Sequence, residues 1–207
     1  MKALIKHYFK NNQKEVLAKS FLNCHIKGLH SIMLSDSPGK MIRLYITDKN
    51  HELRENVLSV HSHHCNLTLI CMHGLFMNKE YSEVDPDAGS KENSSLLYTF
   101  NKFKYVSAIK EGESKFLLLG EQILRYKNIE YVYQGHSLYL EADQLHSVHV
   151  NQGEIAAWLV LEGEEDPDYE SVCYSTNNLE NSIDNTALYV RPTLFEIEML
   201  LQSINVI

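Results

Sequence analysis

The sequence predicts an all-β barrel or sandwich with a helical segment at each end. Three observations carry that expectation. From Met41 to Leu161 the chain is a succession of short runs rich in β-branched, aromatic and aliphatic residues. Polar turns separate these runs at close intervals, which suits strands folded back on one another better than a parallel sheet with crossover helices. Before and after this stretch the apolar residues adopt helical spacing instead.

Taken in order, residues 3 to about 21 read as helix, with Leu4, Ile5, Tyr8, Phe9, Val16, Leu17 and Phe21 on one loose apolar face and Asn11-Asn12 as a break. Ser35-Asp36-Ser37-Pro38-Gly39 is a turn signal. The strand candidates are 41–47, 55–61, 66–78, 96–108, 115–119, 121–126, 129–134, 137–141, 144–150 and 155–161. Residues 83–93 read as an exposed loop, the acidic 162–168 as the end of strand character, and the Asn-rich 174–185 as a surface connection. Thr193 can cap a last helix, Glu196 completes a Thr-x-x-Glu capping box, and Leu194, Ile197, Leu201 and Ile204 form its apolar stripe. That stripe is suited to packing on the β core or on a second subunit. The expected organisation is a helical segment over 1–40, a barrel over 41–161, and a polar connection with a helix over 162–207.

Composition narrows the function classes. At 207 residues the chain can bury one sizeable core. Its net charge of -8 argues against a nucleic-acid partner. Lys2, Lys6, Lys10 and Lys14 solvate the outer face of the first helix in this reading. No run reaches the length needed to span a bilayer, and Met1-Lys2-Ala3-Leu4-Ile5-Lys6 turns polar too early for a signal peptide. Four scattered cysteines, Cys24, Cys65, Cys71 and Cys173, fit reduced thiols, so a cytoplasmic location is expected.

The chemistry is concentrated in the histidines. Val60-His61-Ser62-His63 leads into the apolar run Leu67 to Met72 and closes at Gly74. About eighty residues later, Gly135-His136-Ser137-Leu138-Tyr139-Leu140 runs on to Leu145-His146. Side chains alternate along a strand, so His61 and His63 share a face. With His146 from a neighbouring strand they make a donor set for a divalent transition metal.

The order and spacing of these two motifs resemble the cupin superfamily over roughly residues 41–161. His61 and His63 match its H-x-H and Gly74 its closing glycine, while Glu55 and Leu67 stand where an opening glycine and a glutamate belong. In the second motif Gly135 and His146 match; Glu141 and Asp143 replace a proline and a glycine, and Asn151 lies one residue late. The resemblance implies a jelly-roll barrel. Three histidines without the glutamate look most like the cysteine dioxygenase-type thiol dioxygenases, which hold ferrous iron on three histidines and add dioxygen to a thiol. That likeness implies Arg43 as the anchor of a substrate carboxylate. The Ser-His-Tyr arrangement that follows the third ligand in those enzymes has no counterpart in Ala156 to Leu161.

The remaining candidates have plainer readings. His64 should face away from its neighbours, as a surface group or a support to the ligands. His73 lies too far along the strand, and His149 needs a bulge to reach the site. Cys65 has the parity of His61 and His63 and so can approach the metal, but a strand cysteine is more often a small buried hydrophobe. Trp158 reads as core, and Glu141 and Asp143 as solvated turn residues.

Three neutral imidazoles leave an ion its full +2 charge and open positions, which favours an anionic ligand with dioxygen beside it. The resemblance puts Fe(II) first, with Zn, Mn or Ni as the other metals. The expected partners are a small anionic substrate, a thiol carboxylate by the resemblance, and dioxygen, with neither nucleic acid nor membrane; a homodimer is compatible with the C-terminal stripe. A binding module without turnover and a zinc or manganese isomerase or hydrolase stay open as alternatives.

Overall fold

The structure is a computed structural model, and it describes residues 1–37, 40–49, 60–84, 97–106, 115–165, 169–176 and 189–207. Residues 55–59 of the strand candidate 55–61, Glu55 among them, most of the loop at 83–93, residues 177–185 of the connection at 174–185 and the Pro38-Gly39 pair of the turn lie outside the described residues.

Two sheets carry the fold. The first has the strand order β1 (Leu29–Ser37), β2 (Lys40–Thr47), β10 (Ala157–Glu165), β4 (Cys65–His73), β8 (Ser137–Leu140). The second contains β3 (Val60–His61), β9 (Leu145–His149), β5 (Leu75–Val84) and β7 (Lys115–Tyr133) side by side. All the pairings are antiparallel. Along the chain, β2, β3, β4 and β5 alternate between the sheets, and so do β7, β8, β9 and β10. This four-on-four winding is a jelly-roll, as the sequence predicts. The second sheet then continues through β6 (Leu97–Val106) and β11 (Val172–Ser175), which pair with β7 and β3 and close six strands into a ring.

Each face of the first sheet buries a different cluster. Leu67, Leu69, Cys71, Trp158 and Val160 face inward against Phe76, Val132 and Val150. The alternate residues Ile32, Leu44, Ile46 and Leu159 face outward and are covered by helices. The cover consists of α1 (Lys2–Asn11), α2 (Gln13–Lys19) and α3 (Leu194–Ser203) through Ile5, Phe9, Val16, Ile197 and Leu201. The C-terminal stripe therefore packs on its own sheet. Thr193 and Glu196 form the expected capping box. Asn12 separates α1 from α2 as expected, and the Asn11 and Asn12 amides donate back to the His7 and Tyr8 carbonyls, each at 2.9 Å.

Several boundaries differ from the sequence reading for local reasons. The run 66–78 is two strands, β4 and β5, because Gly74 turns the chain at φ +69°. A Cβ there would sit 2.4 Å from the Ile155 carbonyl oxygen, so only glycine fits. The three runs over 115–134 are one long strand whose halves pair with β6 and β5. Strand β10 continues to Glu165 through the acidic segment, and β1 and β11 lie outside the strand runs that the sequence predicts.

A three-histidine candidate metal centre

The short strand β3 sits between β9 and β11, and its register places His61 directly opposite His146. Ser62 points the other way; its amide donates to the Val172 carbonyl at 3.0 Å, and its hydroxyl accepts from the Val172 amide at 3.1 Å. His63, two residues on, returns to the face of His61. Its amide donates to the Ala142 carbonyl at 2.9 Å, and the Ala142 amide donates to Asn66 Oδ1 at 2.9 Å. The turn holding Glu141 and Asp143 thus pins the chain that carries the second histidine. That turn persists without its proline and glycine, closed by the Gln144 amide on the Glu141 carbonyl.

The three rings converge. Their centroids are 4.7 Å apart for His61 and His63, 4.7 Å for His61 and His146, and 5.1 Å for His63 and His146. One ring nitrogen from each lies within 4.8 Å of the others. His63 Nε2 and His146 Nε2 are 2.9 Å apart. Two nitrogens at about 2.1 Å from one ion, in adjacent positions at a right angle, would be separated by about 3.0 Å. The donor set and its spacing therefore fit a divalent transition metal.

His146 is buried and is oriented from behind. Its Nδ1 lies 2.7 Å from Asn78 Oδ1, so Nδ1 carries the proton and Nε2 turns its lone pair toward the cluster. Asn78 is itself buried on β5. Sequence reasoning missed it, since an asparagine ending an apolar run carries no marker of the histidine across the sheet. Burial holds the His146 and His63 rings well below the usual imidazole range. For His63 the charges of His61, His146, His64 and His25 add to burial; for His146 the charge of His61 does. Both rings are neutral at neutral pH, the form that binds a metal.

Arg43 lies on the inward face of β2, two residues from Tyr45, which stacks on Trp158 at 5.9 Å. Its Nη1 donates to Ser31 Oγ at 3.3 Å. The Cys24 thiol, pushed up to about 12 by burial, lies within reach of the Arg43 charge. His25 joins the two regions. Burial lowers its pKa to about 4, and the charges of both His61 and Arg43 contribute. Its Nδ1 is 2.8 Å from the Tyr189 hydroxyl, and its backbone sits at φ +69°. Neither His25 nor Tyr189 was singled out from the sequence, because each stands in an irregular segment without periodicity.

The other sequence candidates divide. His73 sits at the far end of β4 near Lys2, and His149 is tied to Ser147 Oγ at 2.8 Å; neither joins the three. Trp158 is core. Leu67 is buried among the inward apolar residues, and its partner across the ladder is Glu162 on β10. His64, Cys65 and Glu162 form a second group, with donor atoms within 4.8 Å of one another.

No protein-family model matches the chain, and no curated protein sequence matches it. Solved structures with a similar fold include hydroxypropylphosphonic acid epoxidase from S. wedmorenis, 14% identical, with 70% of this chain and 56% of that one covered and a TM-score of 0.38. Hydroquinone 1,2-dioxygenase from Sphingomonas sp. TTNP3, with 4-hydroxybenzoate bound, is 12% identical with 64% of each chain covered and a TM-score of 0.38. The polyketide cyclase RemF from Streptomyces resistomycificus is 12% identical, with 78% of this chain and 82% of that one covered and a TM-score of 0.41. The chain thus spans little more than half the length of the first of these. The jelly-roll assignment rests on the strand order itself.

Proposed function

We propose that this chain is a metal-dependent cupin that holds one divalent ion through His61, His63 and His146 and acts on a small anionic molecule. The observation that carries the reading is the meeting of three imidazoles, one of them fixed in its tautomer by Asn78. With no carboxylate among the three ligands, the ion would keep its charge and draw an anion to its open positions. Fe(II), the first choice from the resemblance, would supply oxygen activation when bound.

The chain's own residues set the rest. Leu67, Leu69, Trp158 and Val160 keep water out of the inward space. Arg43 is the proposed anchor for a substrate carboxylate, in a bidentate pair with its guanidinium. A thiol carboxylate is the substrate class this combination suits best. All four cysteines are buried and none is in a disulfide, which supports a reducing, cytoplasmic setting. No helix among the described residues is long and apolar enough to cross a membrane. A homodimer through α3 would use its outward side chains Phe195 and Met199, since the stripe itself is covered.

Elemental analysis of anaerobically purified protein tests the reading, followed by oxygen uptake with a panel of small thiols. Bound iron with thiol-dependent uptake, both lost in His61→Ala, is the expected result. Zinc or manganese without uptake would move the chain to the isomerase or hydrolase class. Protein that binds no divalent ion would overturn the proposal.

A further inference from the structure

We propose a second metal site beside the first, formed by His64, Cys65 and Glu162, that takes a borderline divalent ion such as zinc. Two of the donors come from adjacent strands of the first sheet and the third from the residue just before one of them, and the three converge within 4.8 Å of one another. Cys65 is the first residue of β4 and is buried; His64 precedes it, and Glu162 lies on β10. An imidazole, a thiolate and a carboxylate are the donor types zinc accepts, and three of them hold it with a position to spare.

The local backbone brings these donors together. Glu162 pairs with Leu67, yet Glu165 pairs with Cys65, so β10 carries one extra residue across this interval. Such a bulge bends its strand and re-aims the side chains beside it. Gly163 occupies the bulge, where a Cβ would lie 3.2 Å from the Asn66 carbonyl oxygen. Glycine therefore lets β10 close up on Asn66, next to Cys65 on one strand and to Glu162 on the other.

Charge separates the two sites. A thiolate and a carboxylate cancel the +2 of the ion, so this site is neutral when filled and tolerates burial. The three-histidine site keeps its +2 and calls for an anion from outside. The first arrangement suits an ion that stays and clamps β4 to β10; the second suits one that turns over substrate. Because His63 and His64 are consecutive, the clamp would also fix the segment carrying a ligand of the first site.

The test is a titration of chelator-stripped, fully reduced protein with Co(II), whose bonds to thiolate absorb in the near ultraviolet. The wild type should take up about two ions per chain and show that thiolate band. Cys65→Ser should lose the band and one ion. His61→Ala should lose one ion and keep the band, which separates this proposal from the three-histidine reading. Should the buried Cys65→Ser variant fail to fold, Glu162→Gln decides: cobalt affinity at the thiolate-bearing site should fall at least about tenfold. A wild type without a thiolate band, or a Glu162→Gln protein with unchanged affinity there, overturns the site.

Discussion

Asn78 holds His146 by a 2.7 Å contact between the amide oxygen and Nδ1, and both residues are buried. The two belong to neighbouring strands, β5 and β9, so the ladder that pairs them also sets this contact. Replacing Asn78 by Leu removes the acceptor without opening a large gap. The His146 ring is then free to change tautomer, and a buried N–H loses its partner. Outer partners of this type are worth about 10–100-fold in metal affinity. Leaving a buried donor unsatisfied costs about 1–3 kcal/mol of stability. A competition titration with a chelating dye and a urea melt measure the two effects. Unchanged affinity in Asn78→Leu would show that His146 needs no such support.

How much of this was legible in the sequence depends on what kind of feature is asked for. His61, His63 and His146 could be brought together because strand parity and two spaced motifs are local patterns, and the register of β3 on β9 supplies only the last step. The α3 helix was legible for the same reason, since the capping box and the stripe both lie within about three turns. Asn78, His25 and Glu162 were not legible. Each acts through a residue far away in sequence, and none sits in a periodic pattern that marks its direction. Strands β1 and β11 were not legible for different reasons: Leu29–Ser37 carries three serines and an aspartate, whereas Val172–Ser175 is only four residues long and is defined by its pairing with β3 and β6.

Arg43 is expected to act on substrate and not on metal. It reaches Ser31 from β2, on a different sheet from the strands that carry His61 and His146. Arg43→Ala should therefore keep a full complement of bound ion. Loss of a charged, bidentate partner weakens an anion by about 1.5–3 kcal/mol, or about 10–100-fold. In the proposed reaction this is read as a rise in KM for a carboxylate-bearing thiol, with little change for a thiol lacking the carboxylate. Equal loss for both substrates would remove Arg43 from the anchoring role.

Gly74 is where the chain turns from the first sheet to the second. Gly74→Ala meets two penalties, a left-handed backbone and a Cβ 2.4 Å from the Ile155 carbonyl oxygen. Strain of this kind costs about 1–3 kcal/mol for the backbone alone, and the overlap adds to it. The unfolding midpoint should drop accordingly in urea. Gly135 is also at positive φ, but nothing lies within 4 Å of its Cβ position, so Gly135→Ala should be the milder of the two. Equal losses at both positions would mean that the contact with Ile155 is relieved cheaply.

The last prediction concerns acid stability. Burial, with the charges of His61 and Arg43, lowers the His25 pKa to about 4, whereas the unfolded chain titrates near 6.5. Above pH 6.5 the ring is neutral in both states and contributes nothing to the pH dependence. As pH falls from 6.5 toward 4 the unfolded chain takes up a proton that the folded one refuses, so folding weakens across that window. The loss from this one ring is on the order of 1–3 kcal/mol. His63 and His146 act in the same direction, because burial depresses both. His25→Gln keeps a polar side chain that can still meet the Tyr189 hydroxyl but removes the titration. Metal-free wild type and His25→Gln should then show urea midpoints that differ by an amount changing between pH 7 and pH 4, with the variant losing less stability. A constant difference over that range would mean that His25 takes up its proton in the folded protein as easily as in the unfolded one.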